Sequence, residues 1–293
     1  MTNIGLGIPT YNGAERLSYL LRSISISRSG ILRFDRLKVL DDGSPMPAAR
    51  KVRQVCEILG VELLVHEENM GIAKSWNDLT TQLDTEVTIL INDDVLVVDD
   101  WLRCLVYFLV NNQCGSASLP FYFINPEDAP HILRREEVIP RDPLTKQLAS
   151  HKLYEIRESM TPGILMCPAG NIFGFTREMY DLVGGFDDKM FKSFFEESDF
   201  GTKLAEKGYK SYGLTYPMCW HVWSQTFREN PELEAAETIR RSQQNYCEKW
   251  GVPEEFFMHP FDYTNPKFMS KIQRQKVKWI GKSKQYEAWD ANE

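Results

Sequence analysis

The chain has 293 residues, 43% hydrophobic and 26% charged, with a formal net charge of −7. That is the balance of a globular protein, long enough for one large domain or two small ones, and its acidity argues against a broad electrostatic footprint on nucleic acid. The six cysteines are scattered, with no CxxC pair and no finger-like Cys/His spacing, which points to free thiols in a reducing cytoplasm.

No apolar run approaches the ~20 residues of a membrane span, and the opening MTNIGLGIPTYNG lacks the basic-then-apolar layout of a signal peptide. It reads as a strand that starts almost at once. Four apolar segments recur at short intervals: 4–8, 37–40, 61–65 and 87–91. Each is strand-length and nearly continuous, as expected for parallel strands covered on both faces. Between them lie helix-like stretches. AERLSYLLRSI puts Leu17, Leu20, Leu21 and Ile24 on one face. AARKVRQVCEILG groups Val52, Val55, Ile58 and Leu59 and stops at Gly60; IAKSWNDLTTQL groups Ile72, Trp76, Leu79 and Leu83. Strand and helix alternating in this rhythm predict an α/β protein with a parallel sheet and right-handed crossovers.

Polar residues collect where each strand ends. Pro9, Thr10, Tyr11, Asn12 and Gly13 follow the first, Asp41-Asp42-Gly43-Ser44 the second, and Asn92-Asp93-Asp94 the fourth. In an open parallel sheet these carboxyl ends share one edge, where ligands bind. Two like charges stopping an apolar strand suit either a solvated turn or a cation site. No GxGxxG follows a strand and no GxxxxGK[ST] occurs, so the usual dinucleotide and P-loop cradles are missing.

The second half is less regular. Residues 125–160 are charged and proline-interrupted and look like an insertion. Residues 163–175 resume strand character, and REMYDLVGGFDD is a short helix ending at Gly184-Gly185. FFEESDFGTKLAEKG reads as an amphipathic helix with Phe200 and Leu204 inward and Gly208 as its stop. Residues 209–223 read as a strand leading to His221, and 231–250 as a long helix. The terminal stretch carries Lys267, Lys271, Arg274, Lys276, Lys278, Lys282 and Lys284, suited to weak contact with an anionic membrane or an acidic acceptor, though a solvated tail is the plainer reading.

Seven segments taken together are specific: GIPTYNGAERL, LKVLDDGS, ENMGIAKSWN, ILINDDV, AGNIFGFTREMYDLVGGFDD, FFEESDFGTKLAEKGY and WHVWSQTF. In this order and spacing the chain resembles the family 2 glycosyltransferases over most of residues 3–228. The resemblance implies a GT-A (Rossmann-like) fold with a mostly parallel central sheet. It divides the chain into a catalytic domain, 1–228, and a helical C-terminal extension, 229–293. Within the domain, about 1–115 would bind the nucleotide and about 116–228 the acceptor. It implies transfer of a sugar from a nucleotide-sugar, with inversion and a bound Mn²⁺ or Mg²⁺.

The chemistry fits the residues. A departing diphosphate builds negative charge, which a divalent ion stabilises, and hard cations favour carboxylate oxygens plus substrate phosphate and water. By resemblance Asp94 is the metal ligand and His221 a further one. Asn92 stands where Asp is usual, which weakens the expected grip on metal. Glu197 matches the position of the catalytic base, with Asp199 as runner-up and Glu196 on the acceptor side. A base is needed because the attacking hydroxyl must lose its proton, although acids in a first helical turn also suit the helix dipole alone. Pro9, Thr10, Tyr11, Asp42, Asn69, Gly71, Lys74, Asn92 and Asp93 should meet the donor. Tyr11 can stack on a pyrimidine and Asp42 can accept from a ring N–H, which favours a UDP-sugar. Lys74 is equally well a solvated helix charge. Gly170, Asn171, Gly185 and Phe186 should shape the acceptor side, and a glycan hydroxyl is the expected acceptor. A sugar nucleotidyltransferase and a non-catalytic nucleotide-sugar binding protein are the alternatives.

Overall fold

The computed structural model describes residues 2–27, 34–97, 101–119, 121–124, 126–134, 171–214, 219–222 and 225–251. Strand β1 (Ile4–Thr10) leads into α1 (Ala14–Ile26), β2 (Arg36–Asp41), α2 (Met46–Leu59), β3 (Glu62–Val65), α3 (Ile72–Leu83) and β4 (Val87–Ile91). Then come β5 (Val95–Leu96), α4 (Trp101–Asn111), β6 (Ser116–Ser118), β7 (Phe121–Phe123) and α5 (Ala129–Leu133). The later part holds β8 (Ile172–Thr176), α6 (Arg177–Val183), α7 (Glu196–Glu206), β9 (Ser211–Gly213), β10 (Cys219–His221), α8 (Gln225–Glu229) and α9 (Ala235–Trp250).

The main sheet runs β3-β2-β1-β4-β8-β6-β9. The first four strands are parallel; β8 is antiparallel to both β4 and β6. A second sheet, β5-β10-β7, stands beside it. The fold is therefore the α/β, mostly parallel architecture that the strand–helix rhythm predicts. Helices α1, α2 and α4 cover one face through Leu17, Leu20, Leu21, Val52, Trp101 and Leu105. Helices α3, α6 and α7 cover the other through Trp76, Leu79, Met179, Phe200 and Leu204. Burying both faces explains why β4 is apolar at four of its five positions, Thr88 being the exception, and buried throughout.

The helix faces follow their periodicity in α1 and α3. Leu17, Leu20, Leu21 and Ile24 are all fully buried, as are Trp76, Leu79 and Leu83. In α2 the face is turned from the expected one. Ala48, Val52 and Cys56 point inward at a spacing of four, whereas Ile58 is 81% exposed. Two residues beyond Cys56 is about 200° around the helix, so Ile58 faces water once that line is inside. Gly60 closes α2 in the left-handed conformation, φ 66°, as the sequence implies. Strand β3 lies at the sheet's edge, leaving Val65 53% exposed rather than covered.

The stretch 209–223 divides between two sheets: β9 pairs with β6, and β10 pairs with β5 and β7. The expected helix 231–250 is interrupted at Glu234, which adopts a left-handed φ of 47° between the 3₁₀ turn Pro231–Leu233 and α9. Within the insertion 125–160, residues 126–134 form a 3₁₀ turn and α5. Residues 135–160, Gly170 and the basic stretch beyond 251 lie outside the described residues.

Candidate active site

The carboxyl ends of β1, β2 and β4 form one rim. Thr10 is opposite Asp41 in the β1–β2 register, and the Asp42 amide donates to the Thr10 carbonyl at 2.9 Å. Across the β1–β4 side, Thr10 Oγ1 donates to Asp93 Oδ2 at 2.6 Å. Arg16, from the first turn of α1, reaches Asp93 Oδ1 with Nε at 3.3 Å and also bonds the Tyr11 carbonyl. Burial lifts the Asp93 carboxyl to about 6 although Arg16 pulls the other way. Gly13 makes this approach possible: a Cβ there would lie 2.0 Å from Asp93 Oδ2. Pro9 is buried within β1. Tyr11, beyond it, has its phenol raised by burial and then by Glu232.

Asp94 and His221 meet because β5 pairs with β10, setting His221 opposite Val95. Asp94 Oδ1 lies 3.2 Å from His221 Nε2. That is ion-pair distance without hydrogen-bond geometry, so this buried oxygen accepts no hydrogen bond. The Phe121 ring packs edge-on against the imidazole, centroids 5.1 Å apart. A carboxylate oxygen and an imidazole nitrogen converging on one point suit a Mn²⁺-type cation, whose other positions fall to phosphate and water. Among the described residues no three His, Cys, Asp or Glu side chains form a cage.

Beside them Asn92 and Asn171 join β4 to β8 through Asn92 N and Asn171 O at 2.9 Å. The Asn92 Oδ1, Asn171 Oδ1 and Asn171 Nδ2 atoms are buried without partners. Unmatched buried amides of this kind are costly unless a ligand satisfies them. A cavity of about 640 Å³ takes in Asp93 and Asp94, walled by Asn12–Arg16, Tyr19, Val222 and Glu229.

Asp42 is heavily engaged. Its Oδ1 accepts from Met70 N at 2.9 Å and faces His66 Nδ1 at 2.7 Å, and its Oδ2 accepts from Gly71 N at 2.8 Å. The loop carrying Asn69 presses onto Gly43, whose absent Cβ would sit 2.2 Å from the Glu68 carbonyl carbon. Gly71, at φ 90°, leaves room for the Lys192 carbonyl. Lys74 pairs with Asp78 one turn along α3.

The three acids of α7 have different surroundings. Glu196 is 6% exposed, and burial, followed by Glu197, raises its carboxyl well above the usual range. Asp199 is fully buried and held by Lys249 Nζ at 2.8 Å, Trp250 Nε1 at 2.9 Å and Lys203 Nζ at 3.2 Å. Glu197 is half-buried between them in sequence. The helix starts from a strained corner. Phe194 and Phe195 both take left-handed φ, 66° and 67°, unusual for bulky side chains. Phe194 stacks on Phe227 at 4.9 Å and Phe195 packs on Tyr246 at 5.4 Å, so α8 and α9 clamp the corner. Asn77 holds the neighbouring loop, accepting from Phe186 N and donating to Phe186 O. Gly185, at φ 74°, packs against Asn77 and Tyr180, and Phe186 is 3% exposed within the aromatic core.

Sequence reasoning missed Arg16, Gly13, His66, Asn77, Lys249 and Trp250 in these positions. Only Gly13-x-x-Arg16 offered a signal, because it follows a polar strand end directly. The others owe their roles to partners far along the chain.

Residues 6–184 match the model of Glycosyl transferase family 2. None of the curated protein sequences compared with the chain matches it. Among solved structures, the chain is similar to the mannosyltransferase PcManGT from Pyrobaculum calidifontis, in complex with GDP-Man and Mn²⁺: TM-score 0.60, 18% identity, covering 96% of this chain and 76% of that one. It is similar to GalNAc-T7 with UDP, GalNAc and Mn²⁺, at TM-score 0.65 and 15% identity, covering 97% of this chain and 56% of that one. It also resembles S. aureus TarS 1-349, at TM-score 0.54 and 15% identity, over 95% and 80% of the two chains. At these identities the likeness is one of fold.

Proposed function

The chain belongs to glycosyl transferase family 2 and is a glycosyltransferase, and from that premise we propose that it moves a sugar from a UDP-sugar to a hydroxyl of a glycan-type acceptor, with inversion. The observation that carries the reading is the buried Asp94 Oδ1, free of hydrogen bonds and 3.2 Å from His221 Nε2 on the rim. Those two side chains would hold Mn²⁺ or Mg²⁺, which supplies positive charge to a departing diphosphate. The Mn²⁺ in the PcManGT and GalNAc-T7 complexes supports the same assignment.

The remaining roles fall to this chain's own groups. Tyr11 stacks on the base and Asp42 accepts its ring N–H. Thr10 and Arg16 fix Asp93 beside the ribose and diphosphate. Asn92 and Asn171 offer unmatched amide atoms to sugar hydroxyls. Glu197 takes the acceptor's hydroxyl proton on a carboxylate oxygen as the oxygen attacks the anomeric carbon. Burial, followed by the Glu197 charge, raises the Glu196 carboxyl and favours its protonated form, which suits it less well to the base role than Glu197. The Lys and Trp contacts to Asp199 favour a structural role for it. Lys74, already paired with Asp78, is better read as a helix-surface charge than as a diphosphate contact. Five described cysteines are free thiols, which suits a reducing cytoplasm. No helix among the described residues is long and apolar enough to cross a membrane.

The test is product analysis with UDP-sugars, an acceptor panel and Mn²⁺. UDP release and a glycosylated product are expected, with a loss of about 10²–10³-fold in Asp94→Asn. Pyrophosphate release would instead reveal a nucleotidyltransferase, and an Asp94→Asn variant of full activity would remove the metal assignment.

A further inference from the structure

His66 follows β3 and has no place in the scheme above, yet it touches a donor-binding acid. Its backbone N–H is fixed by the Asp41 carbonyl at 2.9 Å. Its Nδ1 faces Asp42 Oδ1 at 2.7 Å, and its Nε2 faces Asp78 Oδ2 at 2.9 Å. Lys74 holds the other oxygen of Asp78. The ring is thus oriented from both sides, from β2 by Asp42 and from α3 by Asp78. An ionised carboxylate only accepts, so the ring meets Asp42 Oδ1 as a donor through Nδ1–H.

The consequence lies in what Asp42 has left. A carboxylate offers about four accepting positions. On Oδ1, Met70 N and His66 take two; on Oδ2, Gly71 N takes one. One position remains, on Oδ2. Uracil presents a single ring N–H and fits it. Guanine presents a ring N–H and an exocyclic amino group side by side, and pairs with a carboxylate through both oxygens. Here its second donor would meet a filled Oδ1 and be buried unmatched, which is costly. Cytosine has no ring N–H to offer.

We propose that His66 determines base specificity: by filling Asp42 Oδ1, it restricts the donor to a nucleotide whose base offers one ring N–H, UDP over GDP. This rests on the reading that Asp42 meets the base.

The experiment is calorimetric titration of the full chain, with Mn²⁺, using UDP, GDP and CDP. The wild type should bind UDP more tightly than GDP or CDP. His66→Ala frees Oδ1, and the GDP-to-UDP affinity ratio should rise about tenfold, the worth of a hydrogen bond to a charged group. His66→Asn, whose amide can stand in for Nδ1–H, should keep the wild-type ratio, an outcome that a merely structural role for His66 does not produce. His66→Ser replaces the Ala variant should that fail to fold by thermal melting. An unchanged ratio in a folded Ala or Ser variant, with the wild type preferring UDP, overturns the His66 proposal alone. A wild type that binds CDP as well as UDP overturns the Asp42 reading beneath it.

Discussion

The rim and α7 both present acids, but different parts of the fold assemble them. On the rim, Thr10 meets Asp93 because β1 and β4 are hydrogen-bonded neighbours, so a short polar tail after each strand is enough. On α7, Asp199 is fixed by Trp250, 51 residues away, and Lys249 ties the same acid to Asp187. Ser242 Oγ and Asn245 Nδ2 add bonds from α9 to the carbonyls of Ser193 and Met190, both 2.6 Å. Sheet topology makes one half of the site. Docking of a late helix makes the other, so chemistry and stability are separable there in a way they are not on the rim.

The largest test of that separation is a pair of isosteric changes in α7. Glu197→Gln should lower kcat about 10³-fold, the scale of a lost general base, while UDP binding and the melting temperature stay as they were. Asp199→Asn should do the reverse. It strips a fully buried acid of its charge between two lysines, and denaturant titration should show a loss of about 2–3 kcal/mol. Transfer that survives in the Gln variant and vanishes in the Asn variant would move the base to Asp199.

Rim geometry should fail as a unit instead. Gly13→Ala places a Cβ 2.0 Å from Asp93 Oδ2 and 2.6 Å from Arg16 Nη2. Neither can retreat, because Thr10, Tyr11 and Glu229 hold them. A stability cost of about 1–3 kcal/mol is expected, together with a higher KM for the donor. Melting and donor titration of one variant measure both, and a loss in only one of them would show that Asp93 and the fold are less tightly joined than on this account.

This contrast also explains what the sequence conveyed. The four apolar runs predicted β1 to β4, and their polar ends placed Thr10, Asp42 and Asp93 on one edge, because parallel strands put all carboxyl ends together. Strands of two or three residues such as β5 and β10 carry no readable period, so the contact of Asp94 with His221 rested on resemblance alone. Arg16 finds Glu229 across 213 positions and His66 finds Asp42 across 24, and no local pattern announces either. Periodicity groups Ile58 with Val52, Val55 and Leu59, but the line through Ala48, Val52 and Cys56 takes the buried face instead.

The smallest expected effect concerns how α9 is held. Burial tends to lower the Lys249 ammonium, but its hydrogen bonds to Asp187 and Asp199 outweigh that and raise it above 10.5. Burial tends to raise Asp187, but the hydrogen bonds from Lys249 and the Met190 amide, with the charges of Lys249 and Lys203, together outweigh it and leave the acid below 3.8. A raised lysine contributes stability that is whole below 10.5 and is lost as pH climbs past it. A depressed carboxyl contributes stability that is whole above 3.8 and is lost as pH falls below it. Lys249→Met removes both contributions. The gap in melting temperature between wild type and variant should therefore be flat from about pH 4 to 10 and narrow at each extreme. A gap that stays flat into both extremes would mean that α9 is anchored by its packing, through Tyr246 and Trp250, and that the ion pairs add nothing.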